Sequence, residues 1–371
     1  MDNDNLQEFP PCEVPVRKER LEWLDAMRGF TMILVVAYHV ALMGFEQHVK
    51  LSSSMSFLML FRMPLFFFVS GFLAYKASLH WDRATLFSLL GKKMRIQLIP
   101  TAIFFLFSCA AIYPKFMPAL MDGLHSPTKG GYWFTLVLLY MFILYYLFCY
   151  LESRLKCRSW IPITVFFLLS LLVYESCYMP KLFWWADGYR PKLPTNILRD
   201  TSLIQLMKYM PFFLFGNIVR RYWQQAQRIM DSRWFYPLIV TVVVFCTMDV
   251  LKWHNLRMAW TNLPSTLAKF ILLTMVFMYF RHYAQYFTRF TFIGTSLQYI
   301  GRRTLDIYLL HFLFLPDLPA VGTFFKLHQH NFAIDITLSI VIAFIVIAFS
   351  IITSNILRIS PLFRKYLFGR N

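Results

Sequence analysis

The chain has 371 residues, 58% of them hydrophobic and 19% aromatic, with 40 Phe and a mean hydropathy of +0.51. That composition excludes a soluble globular domain. Lys and Arg number 37 against 19 Asp and Glu, a formal net charge of +18. In so apolar a chain this excess is first a matter of membrane topology and does not call for nucleic acid.

Ten apolar segments occur, at 24–45, 57–75, 96–114, 132–151, 160–178, 203–219, 234–251, 262–280, 304–316 and 333–357. The expected fold class is therefore an all-α polytopic membrane protein with about ten transmembrane helices. Both tails and the even-numbered connections hold 23 Lys and Arg, and the odd-numbered connections hold 10. By the positive-inside rule both termini are expected in the cytoplasm. The expected organisation is a cytoplasmic tail over 1–23, a transmembrane domain over 24–357 and a cytoplasmic tail over 358–371. The first apolar run is too long for a signal peptide and lacks a small-residue cleavage site. Of the six cysteines only Cys177 lies near an expected outer end, so no disulfide framework is implied.

The first segment, LDAMRGFTMILVVAYHVALMGF, carries Arg28 at its start and His39 inside it. At ~100° per residue, the eleven steps between them return to within ~20° of one helical stripe. Asp25 falls close to that stripe. With a rise of ~1.5 Å per residue, the imidazole sits roughly 16 Å farther along the axis than the guanidinium. An ionisable group at such depth faces a cavity or a partner. The bland alternative is a neutral His fastening two helices by one hydrogen bond.

The second segment places Arg62 about five residues inside its start, followed by Ser70 and Gly71 near mid-membrane. Arg62 either snorkels to the interface or lines a cavity and contacts an anionic or hydroxyl-rich substrate. Small residues at mid-membrane read as close helix packing. Ahead of the third segment stand Lys92, Lys93 and Arg95, either a topology anchor or a set of donors to the phosphates of a nucleotide-type cosubstrate. The fourth segment opens on aromatic GGYWF, as an interfacial belt would. The long connection from Tyr178 to Thr201, with Trp184, Trp185, Asp187, Tyr189, Arg190 and Arg199, is an anchor belt or a sugar-stacking surface.

The ninth segment, TLDIYLLHFLFL, holds a second intramembrane histidine, His311, roughly 10 Å from the segment edge at ~1.5 Å per residue. Asp306 is five steps away, ~140° around the helix, and so off its face. No metal-ligand cluster and no GxSxG elbow is present. What remains is an imidazole, able to take a proton from a hydroxyl near neutral pH, on one stripe with an arginine able to hold a phosphate or polarise a carbonyl.

The runs DAMRGFTMILVVAYH, RMPLFFFVSGFL, KKMRIQLIP, YWFTLVLL, PFFLFG and LDIYLLH, in this order, resemble the acyltransferase-3 family of integral membrane acyltransferases. The resemblance implies transfer of an acyl group, most simply acetyl, from cytoplasmic acyl-CoA to a hydroxyl of a cell-envelope or exported glycan. It implies no permanently bound cofactor, with acetyl-CoA or another acyl-CoA as cosubstrate, and a place in the inner cell membrane. By it His39 is the catalytic base and Arg28 a catalytic or donor-binding residue, with Lys92, Lys93 and Arg95 as donor-phosphate contacts. His311 and Arg62 are expected on the acceptor side. Two other classes fit the residues: a proton-coupled transporter or flippase using His39, His311 and Arg62, and a structural subunit whose histidines only fasten helices.

Overall fold

The computed structural model describes residues 21–47, 52–112, 114–155, 158–178, 197–237, 239–241, 263–327 and 332–368. Among these the chain is all-helical, with no strand. Five helices are long and apolar enough to cross a membrane: Glu22–Gly44, Ser54–Ala74, Arg83–Ala111, Trp133–Glu152 and Phe332–Leu357. A sixth span results if Thr304–Phe314 and Pro319–Leu327, bent by 83° at their junction, count as one. Of the other expected segments, 160–178 forms the shorter helix Trp160–Ser176, and much of 234–251 lies outside the described residues. The segment at 203–219 is helical but carries Lys208, and 262–280 carries Lys269, charges that lower their mean hydropathy.

Helix α1 (Glu22–His39) runs on into a π turn, Val40–Gly44. Its first turn carries Glu22 and Asp25, which suit the positive end of the helix dipole. Helix α2 (Ser53–Ala74) is capped by Ser52, whose hydroxyl accepts from the Met55 N–H at 3.2 Å. Asp82 caps α3 (Arg83–Lys93) by accepting from the Thr85 N–H at 2.7 Å. A π turn at Met94–Leu98 joins α3 to α4 (Ile99–Ile112). There follow α5 (Phe116–His125), α6 (Trp133–Glu152), α7 (Trp160–Ser176), the single turn α8 (Ile197–Asp200), α9 (Leu203–Arg221) and α10 (Trp223–Met230). The last part comprises α11 (Leu263–His282), α12 (Phe292–Arg302), α13 (Thr304–Leu310), α14 (Pro319–Leu327), α15 (Phe332–Leu357) and α16 (Pro361–Phe368).

Two close crossings set the frame, and glycine permits each. A Cβ on Gly71 of α2 would lie 1.8 Å from the Phe213 carbonyl oxygen of α9, and one on Gly216 of α9 would lie 1.9 Å from that of Phe68. The backbones of α2 and α9 thus touch, as small residues allow inside a membrane. Gly29 of α1 and Gly301 of α12 repeat the device, with Leu297 O at 2.0 Å and Asp25 O at 1.9 Å from the two added Cβ atoms. Between these crossings α1 and α2 lie side by side, which brings their polar faces to one interior space.

At the end of α1 beyond His39, buried Asp335 of α15 accepts from Gln47 (3.2 Å), Ser52 (2.9 Å) and Ser54, tying three elements together. At the Arg28 end the chain beyond 358, expected as a tail, returns to the bundle. Arg358 binds Asp306 at 2.6 Å, and Phe368 of α16 is buried. Both contacts draw on residues whose partners lie far away in sequence.

Candidate active site

His39 ends the α-helical part of α1, and His311 stands where α13 tightens into the 3-10 turn His311–Phe314. That tightening lets the His311 Nδ1 reach two carbonyls of its own helix, Tyr308 O at 2.8 Å and Ile307 O at 3.1 Å. Carbonyl oxygens only accept, so His311 Nδ1 carries the proton and its Nε2 offers a lone pair. His311 Nε2 lies 3.0 Å from His39 Nδ1. His39 is therefore the Nδ1–H tautomer and donates to His311, which leaves the His39 Nε2 lone pair uncommitted. The His311 side chain is fully buried, and Phe312 packs on both rings, with centroids 4.0 Å from His311 and 5.0 Å from His39.

His39 lines a small cavity of about 30 Å³ together with Arg62, Met32, Val35, Met63, Phe66, Gly131, Trp133, Phe134 and Tyr308. Gly131 has a positive φ of 101°, and a Cβ there would strike the Phe312 ring at 2.2 Å, so this strand of chain can lie against the histidines only as glycine. Tyr308 is pinned between elements. Its hydroxyl donates to Gly131 O at 2.6 Å and accepts from the Phe134 N–H at 3.1 Å.

A second, larger cavity of about 520 Å³ opens on the Arg28 side. It shares Phe66, Phe134 and Tyr308 with the first, so three aromatic rings form the partition between them. Phe66 and Phe134 meet edge to face at 4.8 Å, and Phe134 and Tyr308 at 5.3 Å. Arg28, Lys76, Lys92, Lys93 and Arg302 line the larger space, beside apolar Leu73, Leu89, Leu138 and Phe142. The lining acid Asp306 is held by Arg358 and by the Ser354 hydroxyl at 2.9 Å. Arg28 donates to Thr304 Oγ1 at 3.0 Å and lies 3.5 Å from Asp25, whose other oxygen is 3.7 Å from Arg302. Lys93 sits over the Phe142 ring, 3.4 Å from its centroid. Five cations and several apolar side chains thus line one space, and such cations can supply charge-assisted hydrogen bonds to an anion.

The structure thus brings together Arg28, Lys92 and Lys93 at one cavity and His39 and Arg62 at the other, with His311 joined to His39 but off the cavity lining. Arg95 is not among the lining residues. It lies on the π turn and is exposed. The aromatic connection expected around Trp184, Trp185, Asp187, Tyr189 and Arg190 lies outside the described residues. Sequence reasoning assigned no role to Tyr308, Phe66, Phe134, Lys76 or Thr304. Tyr308 was within reach of it, three residues before His311 and hence on the same helical face. Among the described residues no group of three or more His, Cys, Asp or Glu is placed to hold a metal ion.

An all-helical integral membrane protein with a half-buried imidazole joined to a buried one beside a cationic cavity is the class that this fold and site define. The acyltransferase-3 family model, described as an acyltransferase domain, matches residues 21–357, and the chain belongs to that family. Membership supports a membrane acyltransferase. No curated protein and no solved structure matches the chain.

Proposed function

We propose that the protein moves an acyl group, acetyl in the first instance, from cytoplasmic acyl-CoA to a hydroxyl of a cell-surface or exported glycan, across ten spans of the inner cell membrane with both termini in the cytoplasm. The observation that carries this reading is the 3.0 Å His39–His311 contact, which commits the His39 Nδ1 proton and leaves Nε2 as a base. The CoA phosphates are held by Arg28, Lys92 and Lys93, with Lys76 and Arg302 adding charge. Exposed and off the cavity, Arg95 has no part in this contact set. The pantetheine arm follows the apolar wall, and the thioester passes the aromatic partition to meet His39.

His39 Nε2 takes the proton of the acceptor hydroxyl as its oxygen forms a bond to the thioester carbonyl carbon. The carbonyl electron pair moves onto oxygen, then returns to expel the CoA sulfur, which takes the proton from His39. Ester and free CoA thiol are the products. His311, fully buried and spent on His39 and two carbonyls, suits the orientation of the base better than contact with an acceptor. Acetyl is favoured over succinyl and larger groups because the pocket at His39 measures only about 30 Å³. Steady-state transfer from acetyl-CoA to envelope glycan, measured for wild type and His39→Ala, tests the reading.

A further inference from the structure

Arg62 of α2 is the one guanidinium lining the small cavity with His39. It is 8% exposed, and its Nε has no hydrogen-bond partner. No ion pair joins it to a carboxylate among the described residues, and the rings beside it are Tyr38, whose centroid lies 3.6 Å from its Cζ, and Tyr209. Tyr38 precedes His39 in α1, so stacking on it fixes the guanidinium plane next to the imidazole. A buried cation without a counter-charge is costly, and a residue needed only for packing would be apolar.

We propose that Arg62 is a catalytic residue that holds the thioester carbonyl oxygen as it becomes an oxyanion. The inference rests on the acyltransferase reading and gives it a second reacting group. As the acceptor oxygen bonds to the carbonyl carbon and its proton passes to His39 Nε2, the carbonyl π pair becomes a lone pair on oxygen, facing the Arg62 guanidinium, whose Nε has no hydrogen-bond partner. When the carbon–sulfur bond breaks, that pair re-forms the carbonyl, and the sulfur leaves with the proton from His39. The cation is complementary to the tetrahedral species and less so to the neutral thioester, which is the condition for accelerating the step.

Wild type, Arg62→Lys and Arg62→Gln, compared at matched thermal stability with acetyl-CoA and envelope glycan, test it. The expected result is a kcat lower by about 100- to 1,000-fold in Arg62→Gln, with both KM values within about threefold of wild type and partial recovery in Arg62→Lys. A raised acceptor KM at unchanged kcat would make Arg62 an acceptor contact and overturn the proposal. So would a wild type that prefers succinyl-CoA and loses only that preference in Arg62→Gln. A readout without turnover separates this from the broader reading. In His39→Ala protein, the carbonyl stretch of bound 13C-acetyl-CoA should lie below its solution value, and a stretch at the solution value overturns the proposal even if Arg62→Gln fails to fold. Acyl transfer by wild type with that stretch unshifted would leave the acyltransferase reading standing and Arg62 outside it.

Discussion

His311 accepts a hydrogen bond from His39 across 3.0 Å, although 272 positions separate the two in the chain. The bond fixes the tautomer of the base and the plane of its ring together. Its replacement should therefore be graded by hydrogen-bond chemistry rather than by size. His311→Gln keeps an acceptor oxygen for the His39 N–H and should retain activity within about tenfold of wild type. His311→Phe fills the space without an acceptor and should lose about 100-fold in kcat, with the donor KM unchanged, because misoriented general bases forfeit effects of this order. Equal losses in both would reduce His311 to a packing residue.

The cation set at the larger cavity predicts a contrast within four residues of sequence. Lys92→Ala and Lys93→Ala should each raise the acetyl-CoA KM by about 5- to 20-fold, an effect that shrinks as salt rises. Arg95→Ala, altering an exposed residue off the cavity, should leave that KM unchanged. Titration of acetyl-CoA at two ionic strengths decides it, and a dominant loss in Arg95→Ala would move the donor site.

Much of this arrangement was legible in the sequence. The Arg28 and His39 stripe follows from helical phase alone, and the small residues of α2 announced the close crossing at Gly71. What stayed hidden depends on breaks in that phase. Arg95 is exposed on a π turn and off the cavity lining, and the chain bends by 83° just beyond the ninth segment, which no apolar count registers. The meeting of His39 with His311, and of Arg358 with Asp306, is tertiary and has no local signal.

The partition of Phe66, Phe134 and Tyr308 should set acyl size. Wild type should prefer acetyl-CoA to succinyl-CoA in kcat/KM by at least about tenfold, and Phe66→Ala should narrow that preference by enlarging the pocket. Competition between the two donors measures it. An unchanged ratio in a folded Phe66→Ala protein would place acyl selection elsewhere.

The glycine crossings carry a stability prediction independent of chemistry. Gly216→Val forces side-chain carbon toward the Phe68 carbonyl, where an added Cβ already stands at 1.9 Å. It should cost about 1–3 kcal/mol or more, as overpacking does, and lower the melting temperature in detergent. Gly91→Ala, where nothing lies within 4 Å of the added Cβ, should be neutral or mildly stabilising.

Release of free CoA thiol from acetyl-CoA by the purified protein, with extracted envelope glycans as acceptor, tests the central claim most directly when wild type is run beside His39→Ala of equal thermal stability. The account predicts acceptor-dependent release by wild type and a fall of at least about 100-fold in the mutant. Release that persists in folded His39→Ala would remove the imidazole from the reaction. A folded wild type that releases no thiol from any of several acyl-CoA donors would contradict the acyltransferase account and leave a proton-coupled path through His39, His311 and Arg62 as the better use of these residues.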